Sequence, residues 1–153
     1  MRRVELLFQE YAQSHQNGWN KLIHNLAVPL IYFVTFGLVY SIPTPEIMQK
    51  YAITFAHIAV IPVLFYYFLL SGPIGAGMTI MTMLVFWFIS VLEAQHIVVW
   101  QFSLVLFVVM WVLQFIGHQI EGKRPSFFKD LQFLLVGPAW ILGGWLRKLN
   151  ISY

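Results

Sequence analysis

Residues 97–117, IVVWQFSLVLFVVMWVLQFIG, form an uncharged apolar run, and the ionisable residues His118 and Glu121 follow it directly. A helix needs about 20 apolar residues to cross the hydrocarbon core of a bilayer. The run is therefore long enough to span a membrane as an α-helix. Ionisable side chains so close to a span are costly to place, and they commonly mark a functional site.

Three further apolar runs precede this one, at residues 22–42, 51–70 and 74–92. Of the 153 residues, 59% are hydrophobic and only 10% are charged, whereas soluble domains carry roughly 25% charged residues. We therefore predict an integral, multi-pass membrane protein of the all-α class. Its four transmembrane helices form one bundle, and residues 1–153 form a single membrane-embedded domain.

The segments outside the four runs predict two further elements. Residues 2–16, RRVELLFQEYAQSHQ, are charged and amphipathic, so we expect an N-terminal amphipathic helix and no cleavable signal peptide. Residues 131–146 are apolar but short for a span, and they contain a Gly-Pro and a Gly-Gly pair. We expect an interfacial or re-entrant C-terminal segment there rather than a fifth crossing.

The connections between the runs are short. Residues 71–77, SGPIGAG, predict a tight and flexible reversal. Residues 93–96 are so few that the third and fourth spans are expected to be antiparallel neighbours.

The basic residues predict the orientation. Eight of the nine Lys and Arg residues lie at the two ends of the bundle: Arg2, Arg3, Lys21, Lys123, Arg124, Lys129, Arg147 and Lys148. With four crossings both ends share one face, which the positive-inside rule places in the cytoplasm. The membrane would be the inner membrane of a bacterium or the endoplasmic reticulum of a eukaryote. The formal charge of +3 suits anionic lipid headgroups and implies no nucleic-acid partner.

Four ionisable residues are expected at that same face. His15 and His24 flank the entry to the first span, and His118 and Glu121 follow the fourth. His118 and Glu121 are three residues apart and share one face of a continuing helix. The chain has no cysteine, so a metal here must be bound by nitrogen and oxygen. Histidines with one carboxylate are the ligand pattern of non-haem iron oxygenases.

A corner between the first two histidines is needed for them to meet. His15 and His24 would lie on opposite faces of an unbroken helix. The pair Asn17-Gly18 between them is a turn signal, and a corner there lets the two imidazoles converge. Three amide side chains are expected to support the site by helix capping or hydrogen bonding: Asn17, Asn20 and Gln114. Glu121 could instead pair with Lys123 or Arg124.

Two motifs carry a family resemblance. They are YxxxHxNxxNxxxH over residues 11–24 and WxxQFxGHxxE over residues 111–121. In this order around four spans they resemble the Mpo1-like family of membrane 2-hydroxy fatty acid dioxygenases. The resemblance implies an Fe(II)-dependent enzyme that uses O2 to shorten a 2-hydroxy fatty acid by one carbon in fatty acid α-oxidation. It implies His15, His24 and His118 as essential residues, with Glu121 as their carboxylate.

Two other classes stay open on the sequence alone. A non-catalytic lipid-binding or scaffold protein could use the same polar residues to satisfy helix ends. A haem or quinone carrier needs facing mid-span histidines, and His57 is the only mid-span histidine; both His57 and His96 are expected to be structural. For the enzyme, the acyl tail of the substrate is expected among four aromatic residues: Trp87, Phe88, Trp111 and Phe115. The oligomeric state and the acyl chain length are not predicted.

Overall fold

The computed structural model describes residues 3–122 and 127–153, and within the second range the side chains from residue 134 onward. These residues form seven α-helices and no strand. The helices are α1 (Arg3–Gln13), α2 (Gly18–Tyr40), α3 (Glu46–Lys50), α4 (Phe55–Leu70), α5 (Gly72–Ala94), α6 (Val99–Glu121) and α7 (Phe127–Lys148). The all-α class predicted from the sequence is confirmed.

Within the described ranges, three helices are long and apolar enough to cross a membrane. They are α2, α5 and α6, each of 23 residues. The predicted second span, residues 51–70, begins too early, because α4 has only 16 residues and starts at Phe55. Thr54 caps this start together with His57, whose Nδ1 accepts a hydrogen bond from the Thr54 backbone N–H at 3.1 Å. His57 therefore has the structural role expected of it.

The turn between α4 and α5 is shorter than predicted. The expected flexible reversal over 71–77 is wrong, because α5 already begins at Gly72 and has proline in its first turn. Proline suits that position, since its fixed φ is helical and its missing N–H would be unpaired there. At Gly75 an added Cβ would overlap the ring of Phe68. This glycine lets α5 lie directly against the end of α4.

The helix α2 is the centre of the bundle. It runs antiparallel to α6 along its whole length, with Gly37 against Ser103 and Asn20 against Gly117. Small residues at such contacts allow helices in a membrane to approach closely. The expected pairing of the third and fourth spans is minor, because α5 packs mainly against α4 and only slightly against α6. The helix α6 packs mainly against α2. The short loop between α5 and α6 gives no indication of this pairing.

The helices α1 and α7 cover one side of the bundle at the end where α2 begins. α1 buries Val4, Phe8 and Tyr11, which lie on one helix face, and it packs against α7. α7 is a single helix of 22 residues that continues through Pro138, so it is longer than the predicted segment 131–146. It also contacts α2 and α5, and the Tyr67 hydroxyl on α4 donates to its Leu135 carbonyl at 2.9 Å.

Candidate histidine site

The corner predicted at Asn17-Gly18 is present. α1 ends at Gln13 and α2 begins at Gly18. The Asn17 side chain caps α2 by accepting a hydrogen bond from the Trp19 backbone N–H at 2.9 Å. His15 lies inside this corner and is only 2% exposed, so the corner folds its imidazole back against α2.

The end of α6 completes the same region. α6 continues past the apolar run to Glu121 and ends at Gly122, which adopts the left-handed conformation with φ of 70°. His118 is buried on the face of α6 that contacts α2. The described structure thus brings residues from both ends of the chain to one end of the bundle.

Three histidine rings are in contact there. The ring centroids of His15 and His24 are 4.2 Å apart, those of His24 and His118 are 5.1 Å apart, and those of His15 and His118 are 6.0 Å apart. The His15 Nε2 and His24 Nδ1 atoms are 3.1 Å apart. The packing of these buried imidazoles brings ring nitrogens from three histidines into one region that is shielded from water.

Hydrogen bonds orient two of the rings. The His15 Nδ1–H donates to the Tyr11 carbonyl at 2.7 Å, so Nε2 is the acceptor nitrogen of the neutral imidazole. His24 Nδ1 faces that atom, and the other nitrogen, His24 Nε2, is buried without a hydrogen-bond partner. A backbone carbonyl that holds one imidazole nitrogen so that the other is presented is the usual support of a metal-binding histidine.

Glu121 contacts the corner rather than the rings. Its Oε1 accepts from the Gln16 backbone N–H at 2.8 Å. Its Oε2 accepts from the Asn17 backbone N–H and from Asn20 Nδ2, both at 2.9 Å. These three bonds tie α6 to the loop that carries His15. The alternative partners Lys123 and Arg124 lie outside the described residues.

The predicted supporting amides have separate positions. Asn17 is the cap of α2, as expected. Asn20 is fully buried and donates to Glu121 and, at 3.3 Å, to the Ser14 carbonyl. Gln114 is buried on α6, and its Oε1 has no hydrogen-bond partner.

A cavity of about 50 Å³ opens beside the rings. On the same measure a water molecule needs roughly 10–15 Å³, so the space admits an ion with a few ligand atoms. Trp111, Gln114 and Leu134 line it together with the histidines, and the buried Trp111 Nε1 has no hydrogen-bond partner. Leaving several polar atoms unpaired in one cavity is costly unless a ligand pairs with them.

Sequence reasoning missed part of this arrangement. Of the aromatic residues expected around the acyl tail, Trp111 lines the histidine cavity, but Trp87 and Phe115 are exposed on the outer surface. Apolar composition does not distinguish a lipid-facing ring from a buried one. Tyr11 was not singled out for a role, yet its ring stacks on His15 at 4.1 Å. The four-residue spacing from Tyr11 to His15 was the available signal.

The three histidine rings lie together, but their side chains do not have the geometry of a complete metal site. Among the side chains that the structure describes, those of residues 3–122 and 134–153, no group of three or more His, Cys, Asp or Glu is arranged to hold an ion. The donor set nevertheless fits one. His24 Nε2 is a buried nitrogen without a hydrogen-bond partner beside the other two rings, and imidazole nitrogens are suitable ligands for iron.

The fold and this site define a helical membrane-type protein with buried histidines at one end of its bundle. Comparison with known proteins names the family. A family model described as 2-hydroxy-palmitic acid dioxygenase Mpo1-like matches residues 1–149. The 2-hydroxy-palmitic acid dioxygenase MPO1 of Saccharomyces cerevisiae is 31% identical over 144 residues, covering 92% of this chain and 78% of the yeast protein. The chain belongs to the Mpo1-like family, which confirms the resemblance of the two motifs. No solved structure matches it.

Proposed function

We propose that this protein is an Fe(II)-dependent dioxygenase that shortens 2-hydroxy fatty acids by one carbon. The observation that carries the proposal is the packing of His15, His24 and His118 beside one small cavity. The name of the yeast relative supports the substrate class. In the balanced reaction, R–CH(OH)–COOH and O2 give R–COOH, CO2 and H2O. O2 accepts the electrons released at C2 and C1, so no further reductant is needed.

The three histidines would hold the iron. Bound Fe(II) would supply the redox chemistry that activates O2. Tyr11 orients His15 through its carbonyl, and the unpartnered His24 Nε2 is a free donor. Glu121 stays the predicted carboxylate ligand. Both of its oxygens accept hydrogen bonds from the corner, so one oxygen would have to accept a hydrogen bond and bind the iron at the same time. These hydrogen bonds would also hold the corner that carries His15.

The head of the substrate would bind on the α6 side of the cavity. Trp111 Nε1–H is a buried donor without a partner, and the substrate carboxylate is the strongest acceptor that could meet it. Gln114, one turn further along α6, also lines the cavity, and its side chain would contact the same substrate carboxylate. These two side chains would orient the C1–C2 bond towards the histidines.

The geometry supports four crossings with both ends of the bundle on one face. Glu121 at the end of α6 bonds to Asn17 and Asn20 at the start of α2, so the path between them crosses the membrane an even number of times. With the three candidate spans of the described ranges, the proposed topology would have the shorter helix α4 cross as well, over a locally thinned bilayer. Lys21, Arg147 and Lys148 favour the cytoplasmic face for this end, while Arg2, Lys123 and Arg124 lie outside the described residues.

Metal analysis and oxygen uptake on the same sample test the proposal. The full chain is purified anaerobically in detergent, its iron content is measured, and oxygen consumption is followed with 2-hydroxypalmitate. Palmitate, which lacks the hydroxyl, is the matched control. We expect stoichiometric iron, oxygen uptake with the hydroxy acid alone, and a fatty acid product one carbon shorter. Binding of the acid without oxygen uptake would instead identify a non-catalytic lipid-binding protein, and a Soret absorption band would identify a haem protein.

A further inference from the structure

We infer that the acyl tail of the substrate lies in a second, apolar cavity between α2, α4 and α7, reached from the histidine cavity past Leu134. The inference rests on the proposed function, since it takes a 2-hydroxy fatty acid as the substrate. The second cavity has a volume of about 110 Å³, and it is walled by four residues of α2, two of α4 and two of α7.

The two cavities are adjacent, because Leu134 lines both and lies between them. α2 also lines both along one face. Val28 and Ile31 line the histidine cavity, and Tyr32, Thr35, Phe36 and Val39 line the apolar one. Steps of three and four residues keep side chains on a single face of a helix. The two cavities therefore follow one another along α2, leading away from the histidines.

The length of this path suits a long-chain acid. His24 and Val39 are fifteen residues apart on one continuous helix, which corresponds to roughly 22 Å along its axis. That is the scale of an extended long-chain acyl group. Ala59 marks the far end, since it lies two residues after His57, whose ring faces Tyr40 at the end of α2.

Apolar atoms line the second cavity. The two hydroxyl groups on its α2 side are already paired elsewhere. Tyr32 Oη is hydrogen-bonded to Thr82 on α5 at 2.8 Å, and Thr35 Oγ1 donates to the Ile31 carbonyl at 2.7 Å. A hydrocarbon tail leaves no polar group unpaired there, whereas a polar ligand would find no partner.

A surface groove is the alternative place for the tail. It lies between α2, α5 and α6, has a volume of about 270 Å³, and includes Leu84, which is 57% exposed. None of the described residues that line it also lines the histidine cavity. Bilayer lipids reach such an open groove freely, so it discriminates poorly between acids of different length.

Chain-length preference of variants separates the two places. Ala59→Phe fills the far end of the apolar cavity, and Met81→Trp fills the groove. We expect Ala59→Phe to lower kcat/KM for 2-hydroxystearate at least about tenfold relative to 2-hydroxylaurate. Ile61→Phe, on the same helix but 69% exposed, is the control and should leave the ratio unchanged. A ratio changed by Met81→Trp and not by Ala59→Phe overturns the inference.

Photo-crosslinking tests the same inference without turnover. The probe is a 2-hydroxy fatty acid with a diazirine near its methyl end, bound to the wild-type protein. Peptide mapping should place the adduct on Phe36, Val39, Ala59 or Val63. An adduct on Leu84 or Phe88, or none that excess 2-hydroxypalmitate displaces, overturns the inference. An adduct in the cavity without oxygen uptake would refute only the enzymatic proposal.

Discussion

The two ends of the bundle hold histidines in opposite states. At one end His15, His24 and His118 are nine-tenths or more buried, and one ring nitrogen has no partner. At the other end His57 is exposed and bonded to Thr54 in its own helix cap, and His96 is exposed in a loop. Burying an unpaired polar group lowers stability. The comparison teaches that the first end has the buried, unpaired nitrogen expected of a ligand site, whereas the hydrogen bonds of His57 at the second end are explained by local helix capping.

Removing one histidine from each end gives the sharpest contrast. His24→Ala should abolish bound iron and lower turnover more than about 100-fold, because even partners that only orient metal ligands contribute 10–100-fold. His57→Ala should leave turnover near the wild-type value and lower the free energy of unfolding by about 1 kcal/mol, the value of a helix cap. Iron content, oxygen uptake and thermal unfolding measure the three quantities. Equal losses of turnover in both variants would break the comparison.

Replacing one tryptophan at each end of α6 by phenylalanine tests the contribution of a single indole N–H group. Trp111→Phe keeps an aromatic ring and removes the unpartnered donor of the cavity. Its kcat/KM for 2-hydroxypalmitate should fall about tenfold to a hundredfold, the effect of one hydrogen bond to a charged group. Trp100→Phe, half-exposed at the opposite end of α6, should have wild-type kinetics. Unchanged kinetics in Trp111→Phe would remove Trp111 from the substrate head.

Glu121 at the histidine end and Glu93 at the opposite end give a third pair of variants for this comparison. Glu121→Gln loses one acceptor oxygen and turns an amide towards backbone N–H groups, which should lower the free energy of unfolding by about 1–3 kcal/mol. Turnover should fall about tenfold as His15 shifts. Glu93 is exposed and accepts a hydrogen bond from the Tyr40 hydroxyl, so Glu93→Gln should change stability by less than about 0.5 kcal/mol. Complete loss of iron from Glu121→Gln would establish ligation, and retained iron would establish a positioning role.

Two glycines on the contact of α2 with α6 give the smallest effect on catalysis. An added Cβ at Gly117 would lie 2.5 Å from Asn20 Oδ1, and one at Gly37 would meet Ser103 Oγ. Both alanine variants should lose about 1–3 kcal/mol of stability. Only Gly117→Ala, which moves α6 next to His24, should also lower turnover, by a few-fold. A matching loss in Gly37→Ala would mean that helix spacing as a whole, and not the histidine end, controls activity.

The sequence predicted elements better than contacts. The long apolar runs indicated α2, α5 and α6, and Asn17-Gly18 indicated the corner that turns His15 back on α2, because spans and turns depend on local chemistry. Nothing local indicated that α6 packs on α2. Helices that are apolar all round carry no stripe that identifies the packed face. Trp87 and Trp111 therefore looked alike in the sequence, although only Trp111 lines the histidine cavity.

The role of Glu121 could not be predicted for a related reason. Its spacing from His118 placed both on one helix face, which is compatible with a shared ion. The backbone N–H groups of Gln16 and Asn17 that bind it are exposed only because α1 ends where it does. Every residue except proline has a backbone N–H, so the sequence does not show which of these groups will bind a carboxylate. A glutamate that binds backbone N–H groups therefore cannot be distinguished from a metal ligand by sequence alone.

The assembly of one site from His15 and His118 has a consequence for biogenesis. During synthesis the α1–α2 corner leaves the ribosome early, and α6 follows only after more than half of the chain. Truncated or stalled chains thus carry two of the three imidazoles and cannot complete the cluster. Under the proposed function, oxygen chemistry would be withheld from immature molecules and would begin only when α6 has packed against α2.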